Sequence, residues 1–404
     1  MAEVEVGSEA LSPTVKALGV VSLFADVSSE MVYPLNPVFV TRVLGAPAWA
    51  LGLIEAVAES TASILKVYAG RWSDQAGRRK PFAVGGYALG AIGKPLIALA
   101  TLWPHVLAAR FIDRLGKGLR TAPRDALIAE NCPPESRGRA FGFHRSMDTI
   151  GAVIGPLIGF LFLRYYLHSN GLSAIRSLYW LAFFPGVLSV LAIALFVKER
   201  RSVGTGGGSP FSLPSLASVS PALRVYLLIV AVFSLGNSSD TFLLLRARDV
   251  GLNENLLLLL YALFNVVEAT LGYSAGKLSD RVERRKLVAA GYVVFALVYV
   301  GFALVTGPTA IWLLFPLYGL YYTLTQGVQR ALAADLANPD RRATEMGLFH
   351  MTVGLAALPA NIAAGWLYSL HPAAPFALGA CAAIAAAALL LAFPLGRRGD
   401  LAAA

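Results

Sequence analysis

Apolar stretches of about 20 residues, each long enough to cross a hydrocarbon core of about 30 Å as a helix, recur from one end of this chain to the other. The pattern predicts spans at 15–42, 48–70, 82–102, 104–130, 139–166 and 176–197, then at 222–248, 254–275, 287–307, 309–335, 343–369 and 374–396. That is an all-α integral membrane chain of twelve transmembrane helices. Residues 198–221, with Gly204, Gly206, Gly207, Gly208, Ser209 and Pro210, have no apolar face to bury and predict a flexible cytoplasmic linker. The expected division is therefore a six-helix bundle over 1–197, the linker over 198–221 and a second six-helix bundle over 222–404.

An internal repeat supports two pseudo-symmetric halves. Gly70-Arg-Trp-Ser-Asp74-Gln-Ala-Gly77-Arg78-Arg79-Lys80 returns as Gly276-Lys-Leu-Ser-Asp280-Arg-Val-Glu283-Arg284-Arg285-Lys286, an offset of 206. Ala126-Leu-Ile-Ala-Glu130, followed by Arg137, returns as Ala331-Leu-Ala-Ala-Asp335, followed by Arg342, an offset of 205. Two separate blocks at nearly one offset do not arise easily by chance.

Composition narrows the class. Of 404 residues, 56% are hydrophobic and 14% are charged, against about 25% charged in soluble domains, which excludes a soluble enzyme. Cys132 and Cys381 lie far apart in dissimilar settings, so no disulfide framework or thiolate metal site is expected. Residues 1–18 are acidic with one lysine, unlike a cleavable signal peptide, so the first span is expected to remain. The net charge of +10 falls in short clusters between spans, at Arg71 to Lys80, Arg137 and Arg139, Lys198 to Arg201, Lys277 to Lys286, Arg341 and Arg342, and Arg397 and Arg398. Such clusters fit topology rather than nucleic acid: placed in the cytoplasm, they put both termini inside a bacterial inner (plasma) membrane crossed many times.

At its loop motif the chain resembles the major facilitator superfamily, and the resemblance covers essentially the whole sequence. Gly70 to Lys80 is similar to that family's signature loop between spans 2 and 3, with a degenerate copy at Gly276. The resemblance implies the major facilitator fold, alternating access, and a charge network at Gly70, Asp74, Gly77, Arg78, Arg79 and Asp280 that latches the two bundles. In span 5, Gly151-Ala-Val-Ile-Gly155-Pro156-Leu-Ile-Gly159 is similar to a motif of the family's antiporter branches. Physically, its small residues permit close helix contact and Pro156 a kink, which ordinary packing also explains.

Charges inside the hydrocarbon cost at least about 2.5–3.5 kcal/mol at a helix centre and mark functional candidates. Span 4 carries Arg110, Asp113, Lys117, Arg120 and Arg124 at spacings of three or four, one face of a helix, flanked by Arg114 and Asp125. In the family's fold spans 1, 4, 7 and 10 line the central cavity, so the resemblance places this face where a solute binds. The expected substrate site is Arg110, Lys117, Arg120 and Arg124 with Tyr322, Gln326 and Arg330 of span 10, cationic enough for an anion. An internal salt-bridge network remains open beside it: Asp113 with Lys117, Asp125 with Arg124, and the span 1 and 2 carboxylates with the rest.

Proton coupling requires a carboxylate or imidazole that alternates in charge. Asp26 and Glu30, before a kink expected at Pro34 and Pro37, come first, then Asp113 and Glu59. His144, Arg145 and Asp148 form a polar cluster on span 5, and Asp26, Glu30 and His144 are weak candidates for a metal cation. The second half is less charged, with Asp240, Glu268, Glu345 and His350 beside Tyr318, Tyr321, Tyr322 and Asn361. The chain departs from the family's drug exporters, where Arg on span 4 is followed four residues later by Gly; here Arg114 follows Arg110.

The function expected is secondary active transport of a small anionic solute, such as an organic acid, a phosphorylated compound or a metal-carboxylate chelate, coupled to protons. Multidrug or metal-ion export by proton antiport is the alternative, and a non-transporting receptor is the reading from another class. No cofactor is expected beyond a proton or ion gradient, and the expected partners are the solute and the lipid bilayer, with no nucleic acid and the chain a monomer.

Overall fold

The computed structural model describes residues 11–132, 137–170, 173–199, 219–337 and 342–393, and these residues form helices without a strand. Helices stand at all twelve predicted positions: α1 (Pro13–Glu30), α2 (Ala48–Ala76), α3 (Lys80–Ala98), α4 (Trp103–Glu130), α5 (Arg137–Asn170) and α6 (Ser173–Phe196) in the first half. The second half has α7a (Pro221–Gly236) and α7b (Thr241–Asp249), then α8 (Glu254–Arg281), α9 (Arg284–Leu304), α10 (Pro308–Leu336), α11 (Arg342–Leu370) and α12 (Ala374–Ala392). Both halves begin alike. Ser12 accepts a hydrogen bond from the Val15 amide at 3.3 Å and Ser220 one from Leu223 at 3.2 Å, each with proline next in sequence, where its missing N–H costs nothing. The linker residues 200–218 lie outside the described part.

Eight of the helices are long and apolar enough to cross a membrane by length and composition. Those at the first, third, fourth and tenth positions fall short, and all four carry polar residues that face the space between the halves. A helix that lines water is released from the all-round hydrophobicity that lipid imposes.

Within the first half, α1 packs on α5 and α6, α3 on α4 and α6, and α2 on α4. Within the second, α9 packs on α10 and α12, α8 on α10, and α7a on α11 and α12. Two seams join the halves, α2 against α11 and α5 against α8.

The spans expected at 15–42 and 222–248 are not continuous α-helices. After Glu30 the chain passes through a 3-10 turn at Tyr33–Leu35, one short turn at Asn36–Val38 and a π-helical turn at Phe39–Val43, as the missing donors of Pro34 and Pro37 require. The second half breaks at Asn237 to Asp240, between α7a and α7b. The two breaks occupy equivalent places in the repeat and meet: Tyr33 and Ser239, 206 positions apart, approach to 3.5 Å between hydroxyls. The signal for the second break, Gly236-Asn237-Ser238-Ser239-Asp240, is a run of turn-forming residues inside an otherwise apolar stretch.

The antiporter-like glycines lie directly on α1. A Cβ at Gly151 would stand 2.7 Å from the Leu23 carbonyl oxygen, at Gly155 2.8 Å from that of Val27, and at Gly159 2.8 Å from that of Met31. Gly151, Gly155 and Gly159 thus bring α5 against the turns of α1 that carry Asp26 and Glu30, while Pro156 lies inside the helix.

Candidate functional site

A cavity of about 510 Å³ opens between the halves, lined by α1 to α4 on one side and by the α7a–α7b junction, α8, α10 and α11 on the other. Unpaired backbone at the junction is admissible at this depth because it lines a polar space.

The first-half wall is a charge lattice. Arg110 donates to both oxygens of Glu55, at 2.8 and 3.1 Å, with Glu55 1% exposed. Asp113 receives Lys94 at 3.1 Å and lies 3.9 Å from Arg110 and 3.8 Å from Arg114, while Arg114 also reaches Glu59 at 3.5 Å. Each charge in this group is matched, as burial demands. The lattice crosses to the other half, where Ser239 at the α7 break donates to Glu55 at 3.2 Å. Four further cations face the cavity with no carboxylate within ion-pair distance among the described residues: Lys66, Lys117, Arg120 and Arg330. Arg120 lies over the Tyr87 ring, 4.4 Å from its centroid. Lys117 and Arg330 are exposed into the open space.

Two carboxylates, Asp26 and Glu30, line the cavity beside these cations without an ion-pair partner among the described residues, and Glu30 Oε2 has no hydrogen-bond partner there. The second-half wall is aromatic. Asp240 accepts a hydrogen bond from the Tyr318 hydroxyl at 2.6 Å and from Tyr322 at 3.3 Å. Tyr33 and Tyr261 lie 5.3 Å apart between centroids, and Phe264 meets Tyr322 edge-on at 5.3 Å.

The cavity is closed at one end and open at the other. At the closed end Thr241 donates to the Tyr33 hydroxyl at 3.5 Å, Ser60 donates to the Gly354 carbonyl at 3.2 Å, and Arg42 lies 3.7 Å from Asp249. Toward the Gly70–Lys80 loop the halves part. There Val15, Leu18, Tyr87, Leu127 and Ile193 form a first-half apolar cluster separate from the large cluster shared by both halves. The loop itself binds within its own half: Arg79 pairs with Glu130 at 2.7 Å, and in the second-half copy of the loop Arg284, one position earlier in the repeat, pairs with Asp335 at 2.5 Å. These pairs connect the very blocks that recur in the sequence. Gly77 adopts a positive φ of 60°, which a glycine tolerates, and Ser73 donates to the Gly70 carbonyl at 2.7 Å, whereas Arg78 is exposed. The side chains of Asp74 and Asp280 lie outside the described part.

Of the residues expected to bind solute, Arg110, Lys117, Arg120, Tyr322, Gln326 and Arg330 line the cavity, as do Asp26, Glu30, Glu59 and Asp113. Arg124 does not. It shares the helical face but lies a turn beyond Arg120 toward the open end, and its guanidinium pairs with the adjacent Asp125 at 2.8 Å. Asp113 pairs with Lys94, not Lys117. His144 is buried against Asp148 at 3.5 Å and does not line the cavity, so it does not join Asp26 and Glu30, and the described residues hold no cluster of three metal-ligating side chains. Lys66, Lys94 and Asp240 were not expected as site residues. Lys94, a lone lysine in an apolar run, carried the signal that any intramembrane charge carries.

Comparison with known proteins agrees with this architecture. A family model described as Major Facilitator Superfamily matches residues 18–357, with a further match over 247–402. The chain is 36% identical over 387 residues to an uncharacterized MFS-type transporter of Methanocaldococcus jannaschii, covering 94% of this chain and 95% of that one. It is 26% identical over 342 residues to the multidrug resistance protein MdtH of Photorhabdus laumondii, with coverage of 84% and 82%. In fold it is similar to a bacterial homolog of the human lysosomal transporter Spinster in an inward-facing, occupied conformation, with a TM-score of 0.73, 16% identity and coverage of 95% and 96%. It is similar too to a peptide transporter, POT, with a TM-score of 0.77, 14% identity and coverage of 96% and 95%. With the repeat, the loop motif and the cavity between the halves, these matches place the chain in the Major Facilitator Superfamily of transporters.

Proposed function

We propose that this transporter carries a small anionic solute across a bacterial inner membrane by alternating access, with protons as the coupling ion. One observation carries the reading: Lys66, Lys117, Arg120 and Arg330 face the cavity without carboxylate partners, whereas the other cavity cations are already matched. An unmatched cation in a cleft is stabilised by an incoming anion, and arginine and lysine together suit carboxylate or phosphate. The matched set of Lys94, Arg110 and Arg114 is scaffold. Asp26 and Glu30, on the same cavity and free of fixed counter-ions, are the proton carriers in this reading. With the loop motif in the cytoplasm, the conformation described is open to the inside.

Uptake into proteoliposomes under an imposed pH gradient tests it, with a panel of carboxylates, phosphate esters and cationic dyes. The expected result is gradient-driven anion uptake that is lost in Lys117→Ala and Arg330→Ala. Dye transport insensitive to both substitutions would overturn the reading and favour multidrug export, which the MdtH relative and the aromatic second-half wall support.

A further inference from the structure

The two walls of the cavity differ in kind, and the second carries an acidic group that anion binding leaves unused. Asp240 stands at the α7 break, lines the cavity, and has no cation within ion-pair distance among the described residues. Its carboxylate is fixed by two phenols, Tyr318 at 2.6 Å and Tyr322 at 3.3 Å. The rings of Tyr261 and Tyr322 line the same wall, and Tyr33 of the first half lies 5.3 Å from Tyr261. A carboxylate set among aromatic faces is the chemistry that receives an organic ammonium: the carboxylate answers the charge and the rings attract it through their quadrupoles. The opposite wall offers Lys66, Lys117 and Arg120, which receive an anion.

We infer that the Asp240 wall is a subsite for an ammonium group and that the solute is a zwitterion, spanning the cavity with its anionic end on Lys117 and its cationic end on Asp240. The inference rests on the anion reading of the first-half wall and adds the second half to it. A purely anionic solute would leave Asp240 unanswered and facing a like charge. A purely cationic one would face the unmatched lysines and arginines. A solute with both charges satisfies both walls at once, and its charge separation is set by the width of the cavity.

The test is equilibrium binding to the purified full-length protein in nanodiscs. The probes are a ladder of trimethylammonio-alkanoates of increasing chain length, each with two isosteres: the dimethylalkanoate that replaces nitrogen by carbon, and the trimethylammonio-alcohol that lacks the carboxylate. One rung is expected to bind about tenfold or more tighter than both of its isosteres. In Asp240→Asn, which keeps an acceptor for the phenols, that rung is expected to fall to the level of its dimethylalkanoate, whose own binding does not weaken. Asp240→Glu restores the preference, and Tyr322→Phe lowers it about threefold; these two variants carry the test if Asp240→Asn fails to elute as a single species. Equal binding of zwitterion and dimethylalkanoate at every length, unchanged in Asp240→Asn, overturns the inference and leaves the anion reading standing. Binding confined to the trimethylammonio-alcohols and unaffected by Lys117→Ala overturns the anion reading and the zwitterion with it. A ladder with no binding rung overturns the zwitterion alone if the dimethylalkanoates bind.

Discussion

The two walls of the cavity come from one duplicated unit and have diverged in chemistry while keeping their geometry. Both halves start on a Ser-Pro cap, break their first helix at the same repeat position and tie their loop arginine to the end of their fourth helix. Yet the first wall holds Lys94, Arg110, Asp113, Arg114, Glu55 and Glu59 in one lattice, and the second holds the carboxylate of Asp240 among tyrosines, with Arg330 as an unmatched cation. Backbone breaks and loop anchors are kept in both copies. Charge does not recur in the same way, and one wall supplies most of it. The lattice is therefore where structural stability and electrostatics are hardest to separate.

The largest expected effect lies there. Glu55→Ala leaves Arg110 buried without its bidentate partner and is expected to destabilise the protein by roughly 3–5 kcal/mol, with Glu55→Ala/Arg110→Met recovering most of the loss. On the other wall, Asp240→Asn keeps an acceptor for Tyr318 and is expected to cost about 1 kcal/mol. Thermal unfolding in detergent measures both. Equal losses would erase the distinction between a lattice wall and a binding wall.

A second contrast runs along one helix. Gly155→Leu drives a side chain into the α1 backbone, where even a Cβ would stand 2.8 Å from the Val27 oxygen, and is expected to cost about 1–3 kcal/mol or more. Gly142 on the same helix has nothing within 4 Å of an added Cβ, so Gly142→Ala is expected to stabilise by about 0.5–1 kcal/mol. If Gly155→Leu left the melting temperature and transport unchanged, the α1–α5 contact would not be what positions Asp26 and Glu30.

The sequence made the helices legible because lipid enforces the pattern: spans, loop basicity and repeat all follow from burial and topology. The break in α7 was hidden because Asn237, Ser238 and Ser239 are few among strong apolar neighbours, and hydropathy averages them away. The α4 stripe was legible as a face, since three- and four-residue spacing fixes direction. What spacing could not give was the partner of each charge. Arg124 shares the face of Lys117 but pairs with Asp125, and Asp113 is claimed by Lys94 from a different helix. Pairing across helices depends on depth and rotation, which no single-helix pattern encodes. Arg114, off the ideal stripe, still lines the cavity because long side chains reach around the helix.

Two lysines sharpen the comparison between scaffold and site. Lys94 is buried, donates to Asp113 and approaches Ser29 at 3.4 Å. Lys117 is exposed to the cavity and unpaired among the described residues. Lys94→Ala is expected to lower stability by roughly 3 kcal/mol, having left Asp113 short of a partner. Lys117→Ala is expected to change it by less than about 0.5 kcal/mol while abolishing anion uptake. A stable but inactive Lys117→Ala beside an unstable Lys94→Ala separates the two roles; the reverse order would show that the lattice had been assigned to the wrong cations.

The smallest effect belongs to the seam between the walls. Arg145 on α5 donates to Glu268 on α8 at 2.6 Å, but its side chain is 63% exposed, so the protein itself does not bury the pair. A pair in that setting contributes about 0–1 kcal/mol, and Arg145→Ala is expected to shift the melting temperature little. The pair nevertheless crosses from one half to the other, and any motion that closes the open end must move α5 relative to α8. Removing it can alter the balance between conformations only by the free energy it contributes, which limits the change in transport rate to about fivefold. A loss beyond tenfold in Arg145→Ala, undone by the charge exchange Arg145→Glu/Glu268→Arg, would mean that the seam and not the two walls governs which side of the membrane the cavity faces.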